Sequence, residues 1–231
     1  MITLGIELSS RQGSVALLKD GNLLAEKTWI GESVRHGILF QTLETLLREA
    51  HISYCDISLY AVGRGPRSFS GMRMAFAVAQ ALALPDKTEV RTVSSGAALA
   101  LQVAQAFLLA HGQTGVSAPQ KICVVGDARR GQFWVGFFQT LEKNELKVSE
   151  PWKLVPYDEL VVPAGTLIVS PEAERLVKFF PNTCGELAES IGNARFPLAS
   201  GVAALAEKQA EPEPLEPLYM HPPVFIEPKY V

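Results

Sequence analysis

The first thirty residues combine apolar runs with a strong turn signal. The apolar runs are ITLGIEL and the two halves of GSVALLKDGNLLAEKTW. Asp20 and Gly21 lie between the last two runs, and glycine readily adopts the positive φ that a tight hairpin turn requires. The chain is therefore predicted to open with three consecutive strands, paired as an antiparallel meander.

The apolar period then changes to that of helices. Apolar residues recur at helical spacing in the next segment, which predicts an amphipathic helix. They are Leu39, Leu43, Leu46, Leu47 and Ala50. A short strand, SLYAVGRG, precedes a second helix over residues 70–84, which is apolar nearly all round and ends at Pro85. A strand, EVRTV, and an alanine-rich helix, SSGAALALQVAQAFLLA, complete the order β-β-β-α-β-α-β-α over about the first hundred residues.

A second set of elements follows a polar loop. Four strands are predicted in KICVVGD, GQFWVGFFQ, KVSEPWKLV and GTLIVS, with the turn DARRG joining the first two. Two helices are predicted in PEAERLVKFF and PLASGVAALAEKQA. Six of the 15 prolines lie in residues 211–231. That segment cannot form a helix or a central strand, so an extended arm lying on a surface is expected.

This order of elements is clear in the first half of the chain and recurs in weaker form in the second half. It resembles the ribonuclease-H-like domain of actin, sugar kinases and Hsp70. The predicted fold class is α/β, with two such subdomains, each a mixed sheet with helices packed on it. The N-terminal subdomain is expected over residues 1–110, the smaller C-terminal one over 111–210, and the proline-rich tail over 211–231.

Composition narrows the function classes. Of the 231 residues, 48% are hydrophobic and 19% are charged, which is typical of a globular protein. A net charge of −3 gives no general field for nucleic acid, so any RNA contact must be local or made through a partner. No apolar run of about twenty residues predicts a membrane span, and no signal peptide is visible. Widely separated Cys55, Cys123 and Cys184 favour a reduced, cytoplasmic protein without a cysteine zinc site.

The first hairpin is where a protein of this fold would wrap the phosphates of ATP. Here it contains Glu7, Ser9 and Ser10, whose hydroxyl and backbone N–H groups could approach an anion. An ordinary hairpin explains the stretch better, because Glu7 changes the reach to any metal. Asp127 is a second weak candidate, although a turn also explains GDARRGQF. Weak ATP or ADP binding is left open.

The loop GRGPRSFSG matches neither a P-loop nor the G-x-G-x-x-G pattern. Ser68 and Ser70 are N-cap candidates for the helix that follows. Arg67 is interpreted as a solvated turn residue in preference to a phosphate hook. Arg73 is expected in an internal ion pair, with a contact to a partner as the alternative.

No catalytic or metal site is predicted. The four histidines form neither H-x-x-x-H nor H-E-x-x-H, and no G-x-S-x-G elbow occurs. A capping or surface role is favoured for His36.

Several stretches resemble the TsaB (YeaZ) family of bacterial accessory proteins for tRNA threonylcarbamoyladenosine synthesis. The stretch GRGPRSFSGMRMAFAVAQALAL is similar to the family signature G-x-G-P-G-S-F-T-G-[LV]-R-I-G. Likewise VVGDARRGQFWVGFF resembles I-D-A-R-x-G-E-[VI]-[YW], GIELSS stands where I-D-T-[AS]-T is usual, and LEPLY resembles a late E-P-x-Y segment. His36 occupies the place of the family's H-[ST]-x-x-L-x-P element. The likeness runs in order across most of residues 1–140, with Glu7 replacing Asp and Arg67 replacing Gly.

The resemblance implies a non-catalytic subunit with no required cofactor. Its partners would be the paralogue TsaD, which transfers the threonylcarbamoyl group to adenosine 37 of tRNA, and the ATPase TsaE. It would reach tRNA only through the complex and would form a homodimer when the partner is absent. In the family, pairing uses the helices at about 36–50 and 70–84. The implied interface residues are His36, Phe40, Leu43, Leu47, Met72, Arg73, Met74 and Phe76.

Three alternatives stay open at this point. A glycoprotease-like metalloenzyme would need metal ligands. A small-molecule kinase of the same superfamily would need a catalytic Asp and a complete ATP site. A homodimeric scaffold without a role in tRNA modification would differ only in its partners.

Overall fold

A computed structural model of the chain describes residues 1–31, 36–111, 121–140, 146–179 and 196–222. The strands are β1 (Ile2–Glu7), β2 (Gln12–Lys19), β3 (Asn22–Ile30), β4 (Leu59–Gly63), β5 (Glu89–Val93), β6 (Lys121–Arg129), β7 (Gln132–Thr140), β8 (Leu146–Pro156) and β9 (Thr166–Val169). The helices are α1 (His36–Ala50), α2 (Phe69–Ala83), α3 (Ser95–His111), α4 (Ala173–Leu176) and α5 (Ala199–Lys208), with 3-10 turns at Tyr54–Asp56 and Val177–Phe179.

The first sheet has the strand order β3-β2-β1-β4-β5. Strands β1, β2 and β3 form the predicted antiparallel meander, and β4 and β5 run parallel to β1. Asp20 and Gly21 take φ angles of 49° and 79°, the left-handed values that a tight hairpin turn requires. The predicted order of elements in this half of the chain is confirmed.

Helices cover both faces of the first sheet. On one face, Leu43 and Leu46 of α1 share a core with Phe76 and Ala79 of α2 and with the sheet. Helix α2 starts where its cap was predicted, because the Ser68 hydroxyl accepts a hydrogen bond from the amide of Gly71 at 3.2 Å. The other face is covered by α5.

The second sheet has the order β8-β7-β6-β9, with β9 parallel to β6. Strand β6 is longer than predicted: it continues to Arg129, so the turn to β7 consists of Arg130 and Gly131. Helix α3 joins the two sheets, since Ala98 packs with α5 and the first sheet while Leu99 and Val103 pack with the second. Two mixed sheets with packed helices confirm the predicted α/β, ribonuclease-H-like class.

The subdomain boundaries stay a prediction, because two late segments return to the first sheet. Helix α5 lies so close to β1 that a Cβ at Gly5 would overlap the carbonyl of Ala199. Residues 211–222 contain no helix or strand, and the amide of Leu218 bonds the carbonyl of Arg64 at 2.7 Å. Cys184 and residues 223–231 of the predicted arm lie outside the described residues.

Candidate functional site

A cleft of about 870 Å³ lies where the ends of the two sheets meet. Its walls are the β1–β2 turn, the loop between β4 and α2, the β6–β7 hairpin, the segment after β9 and residues 218–222. Four of these segments were singled out from the sequence, and the fold brings them together.

Ser9 and Ser10 line this cleft, as a phosphate hairpin would require. The amide of Ser9 already donates to Glu7 Oε1 at 2.5 Å, and the Ser10 hydroxyl bonds the backbone of Gln12. These hydrogen bonds hold the turn in shape. Whether it receives a ligand stays a prediction.

Glu7 lies beneath the cleft and does not line it. Its side chain is fully buried, and a Cβ at Gly63 of the adjacent strand would overlap its carboxyl group. Within the described part of the chain, Oε2 has no hydrogen-bond partner, although the hydroxyl of Ser95 lies beside the group. Burial raises the pKa of Glu7, and the hydrogen bonds from Ser9 offset this only in part.

Asp127 lines the cleft, but its carboxylate has several partners. One oxygen accepts hydrogen bonds from the amide of Arg129 at 2.7 Å and from the Tyr157 hydroxyl at 2.9 Å. The other lies 3.0 Å from the Arg175 guanidinium. Burial alone would raise the pKa of Asp127, but these hydrogen bonds and arginines outweigh it and lower the pKa. Its clearest role is to fix the hairpin turn.

Arg67 is not the solvated turn residue that the sequence suggested. Its guanidinium lies 2.6 Å from Glu172, whose side chain is 3% exposed and follows β9 in the second sheet. The two residues are separated by 105 positions, so no local pattern could reveal the pair. Its φ of 154° is adopted more readily by glycine, the residue that the family signature has there.

Four of the predicted interface side chains are buried in the chain's own core. They are Leu43, Leu47, Met72 and Phe76. The prediction that these four contact a partner directly is therefore corrected. These side chains pack the two helices against the rest of the chain, because each points toward the first sheet or the adjoining loop.

The other predicted interface residues lie nearer the surface. Phe40 is 47% exposed, Arg73 is exposed and Met74 is half-buried. Helix α1 begins at His36, of which only the backbone is described. A partner surface on α1 and α2 remains a prediction, now carried by fewer side chains.

Sequence analysis missed Phe69, the first residue of α2. Its ring is 51% exposed, lies 4.0 Å from the Arg73 guanidinium and packs against Tyr219. Arg73 also donates to the Tyr219 hydroxyl at 3.3 Å, so the expected internal ion pair of Arg73 is replaced by aromatic contacts. The spacing of four residues between Phe69 and Arg73 was the available signal.

The described residues contain neither a candidate metal cluster nor a membrane-spanning helix. No three His, Cys, Asp or Glu side chains there gather closely enough to hold a metal ion. None of the helices in those ranges has the length and apolar character to cross a membrane.

Comparison with known proteins gives consistent matches. Residues 36–153 match the family described as TsaD: tRNA N6-adenosine threonylcarbamoyltransferase. The tRNA threonylcarbamoyladenosine biosynthesis protein TsaB of Bacillus subtilis (strain 168) is 30% identical over 184 residues, covering 78% of this chain and 70% of that protein. The protein of the same name from Escherichia coli (strain K12) is 28% identical over 161 residues, covering 70% and 64%.

Solved structures agree with the sequence matches. A Pseudomonas aeruginosa protein described by its similarity to the peptidase YeaZ superimposes with a TM-score of 0.74 at 25% identity, covering 95% of this chain and 99% of that one. YeaZ from Pseudomonas aeruginosa gives 0.70 at 23% identity, covering 94% and 99%. With more than half of the sequence matched at this level and the fold in agreement, the chain belongs to the TsaB (YeaZ) family of tRNA threonylcarbamoyladenosine biosynthesis proteins.

Proposed function

We propose that this chain is a non-catalytic subunit that pairs with a TsaD-type protein for threonylcarbamoyl transfer to adenosine 37 of tRNA. A TsaE-type ATPase joins the pair, and tRNA is contacted through the assembly. The observation that carries the proposal is the relationship to two TsaB proteins whose names place them in this biosynthesis.

The outer surface of α1 and α2 supports pairing. Phe40 on α1 and Phe69 on α2 are each about half exposed, and Leu84 at the end of α2 is 77% exposed. Both helices cover the same face of the first sheet. Burying such side chains is worth roughly 25 cal/mol per Å² of apolar surface. Without the TsaD-type protein, the same surface would close a homodimer.

The carboxylates near the cleft support an accessory role. Glu7 is buried below the cleft, while Asp127 and Glu172 are each paired with arginine. A general base or a metal ligand needs a free carboxylate that faces the site, whereas Asp127 and Glu172 are held by arginines and Glu7 does not open into the cleft. The net charge of −3 supports contact with tRNA through the assembly.

Mixing the purified chain with the TsaD-type protein of the same organism tests the pairing. Size-exclusion chromatography with light scattering should give a one-to-one complex at micromolar concentration. Phe40→Glu should weaken the complex at least about tenfold, because a charge then replaces a buried ring at the contact. Circular dichroism should show that the variant remains folded.

Val161→Glu is the matched control. Val161 is 81% exposed and lies outside both helices, in the segment between β8 and β9. This variant should pair like the wild-type chain. Wild-type affinity in folded Phe40→Glu would place the contact elsewhere. Separate peaks for the wild-type chain, with and without the TsaE-type ATPase and ATP, would overturn the proposed pairing.

A further inference from the structure

We propose that Phe69, Arg73 and Tyr219 form a platform on which an unpaired RNA base stacks, while arginines that line the same cleft hold the RNA backbone. The inference rests on the proposed function for its choice of RNA, but it does not depend on pairing with a TsaD-type protein. It goes beyond that function because it gives this chain an RNA contact of its own. Three stacked, exposed side chains and a local excess of positive charge support it.

The three side chains of the platform are fixed against one another. The ring centroids of Phe69 and Tyr219 lie 5.3 Å apart, with 35° between the ring planes. The Arg73 guanidinium lies 4.0 Å from the centroid of Phe69, and its Nε donates to the Tyr219 hydroxyl at 3.3 Å. One aromatic ring therefore carries a guanidinium on its face and has a second ring beside it.

The platform remains open to solvent although its members pack together. Phe69 is 51% exposed, Tyr219 is 46% exposed, and Arg73 is exposed as well. Every nucleic-acid base has a π face, and aromatic and arginine side chains bind unpaired bases by stacking, without reading their sequence. A base stacked on the platform would remove this open ring surface from water.

The fold holds the two rings in place. Phe69 is the first residue of the capped helix α2. Tyr219 belongs to a strap formed by residues 211–222, and the amide of the adjacent Leu218 donates to the carbonyl of Arg64 at 2.7 Å. Groups that are already ordered lose little conformational entropy on binding, so the preformed stack favours a ligand.

Positive charge is concentrated around the platform. Five arginines line the cleft against two carboxylates, an excess of three positive charges in a chain whose net charge is −3. They are Arg11, Arg67, Arg73, Arg129 and Arg130, with Asp127 and Glu172. Arg73 and Arg130 have no carboxylate partner among the residues that the structure describes. The planar fork of arginine donates to two oxygens of one phosphate, so this surface attracts a phosphodiester backbone.

The combination of rings and arginines favours single-stranded RNA over other polyanions. In a duplex the bases are stacked on one another, so double-stranded RNA would meet the arginines and leave the rings unused. An acidic peptide would also pair with the arginines, but it would bring no flat group to cover Phe69. The loops of a tRNA contain unpaired bases next to backbone phosphates, and these match the rings and the arginines together.

The RNA contact is local and supplements the contacts of the assembly. A net charge of −3 opposes general attraction between the chain and RNA, so the platform gives weak binding by itself. In a complex with a TsaD-type protein, a weak second contact raises the overall affinity, because both proteins then hold the same RNA molecule.

Fluorescence anisotropy with the isolated chain tests the platform at low salt. The probes are a labelled single-stranded oligoribonucleotide of mixed sequence and the same strand annealed to its complement. We expect the wild-type chain to bind the single strand with a Kd of about 10–100 µM. Phe69→Leu keeps an apolar side chain but loses the π face, so it should weaken binding of the single strand about five- to tenfold. It should leave binding of the duplex within about twofold of wild type, because paired bases do not stack on the platform.

Leu215→Ala is the matched control. Leu215 lies on the same strap and is 46% exposed, but it does not line the cleft. This variant loses exposed apolar surface without losing a ring, so it should bind both RNAs as the wild-type chain does. Circular dichroism should show that both variants remain folded.

Arg130→Gln tests the contribution of the arginines. Contacts to phosphate do not depend on whether the bases are paired, so this variant should weaken binding of the single strand and the duplex alike. It should also reduce the dependence of affinity on salt. Lys87→Gln removes the same charge at a residue with the same φ of 54°, but Lys87 does not line the cleft and its loss should change neither property.

Four outcomes would overturn the inference. They are the absence of single-strand binding, unchanged single-strand affinity in folded Phe69→Leu, equal losses in Phe69→Leu and Leu215→Ala, and equal effects of Arg130→Gln and Lys87→Gln. A folded Phe69→Leu that weakens only the complex with the TsaD-type protein would also overturn it, because the platform would then belong to a protein partner. Pairing is measured without RNA in a separate experiment, so its failure and the failure of RNA binding are distinguishable.

Discussion

Glu7 has surroundings unlike those of an ordinary surface carboxylate. It is fully buried, and burial raises its pKa. The folded chain therefore keeps this proton at pH values where the unfolded chain, with an ordinary pKa of 4.5, has released it. Its contribution to the free energy of unfolding is fully present below pH 4.5 and is lost as pH rises through the raised pKa.

Glu7→Gln removes this titration while keeping the size of the side chain. We expect the variant to gain stability relative to wild type as the pH increases from 4 to 8, because only the wild-type chain must ionise a buried group. The difference in urea unfolding free energy between the two proteins measures this, since other groups titrate in both. A difference that stays constant across the pH range would contradict the assigned cause.

The sequence pointed to Glu7 as a departure from the family pattern, but it could not say where the carboxyl group lies. That depends on Gly63 of the neighbouring strand, whose missing side chain leaves the space the carboxyl fills. Arg67 is a similar case, because its partner Glu172 is remote in sequence. Local patterns cannot reveal such long-range neighbours.

At the scale of elements, the hydrophobic period and the turn residues predicted the strands and helices well. They predicted less well which side chains the chain buries in its own core. The Asp20–Gly21 turn and the Ser68 cap are local devices, so sequence was sufficient. The apolar helix α2 was interpreted as a partner surface, whereas Met72 and Phe76 belong to its own core. Hydrophobicity alone does not tell an internal core from an interface.

The strap formed by residues 211–222 allows a prediction at this scale. Its Glu213 lies 3.0 Å from Arg64, whose side chain is 9% exposed and whose Nε has no partner among the described residues. Glu213→Gln should lower the free energy of unfolding by about 1 kcal/mol, since Glu213 itself is partly exposed. Glu150→Gln breaks the pair with Lys153, which is about half exposed on both sides, and should cost less than about 0.5 kcal/mol.

Urea unfolding of the two variants measures both values. A loss for Glu213→Gln no larger than that for Glu150→Gln would mean that the strap does not stabilise the loop after β4. The same loop carries Arg67 and begins α2, so its anchoring connects the strap to the cleft.

At the scale of the whole molecule, the two sheets are linked by α3, by the strap and by side-chain contacts, among them a largely buried bridge between two charged groups. The strap reaches the second sheet through His221, whose ring nitrogen Nε2 lies 2.9 Å from the carbonyl of Ala128. The bridge joins Arg67 to Glu172, which also accepts a hydrogen bond from the amide of Asp127 at 3.0 Å. Glu172 therefore contributes to holding the two cleft walls together.

Glu172→Gln should destabilise the protein. Losing the carboxylate leaves Arg67 and Arg175 without it, which should lower the free energy of unfolding by about 2–4 kcal/mol and the Tm by about 5–15 °C. Glu174→Gln removes an exposed neighbour on α4 that lies 3.5 Å from Arg11, and it should lower the free energy of unfolding and the Tm much less, as urea and thermal unfolding will measure. An equal loss of stability in the two variants would mean that the bridge between Arg67 and Glu172 stabilises the fold no more than an exposed ion pair does.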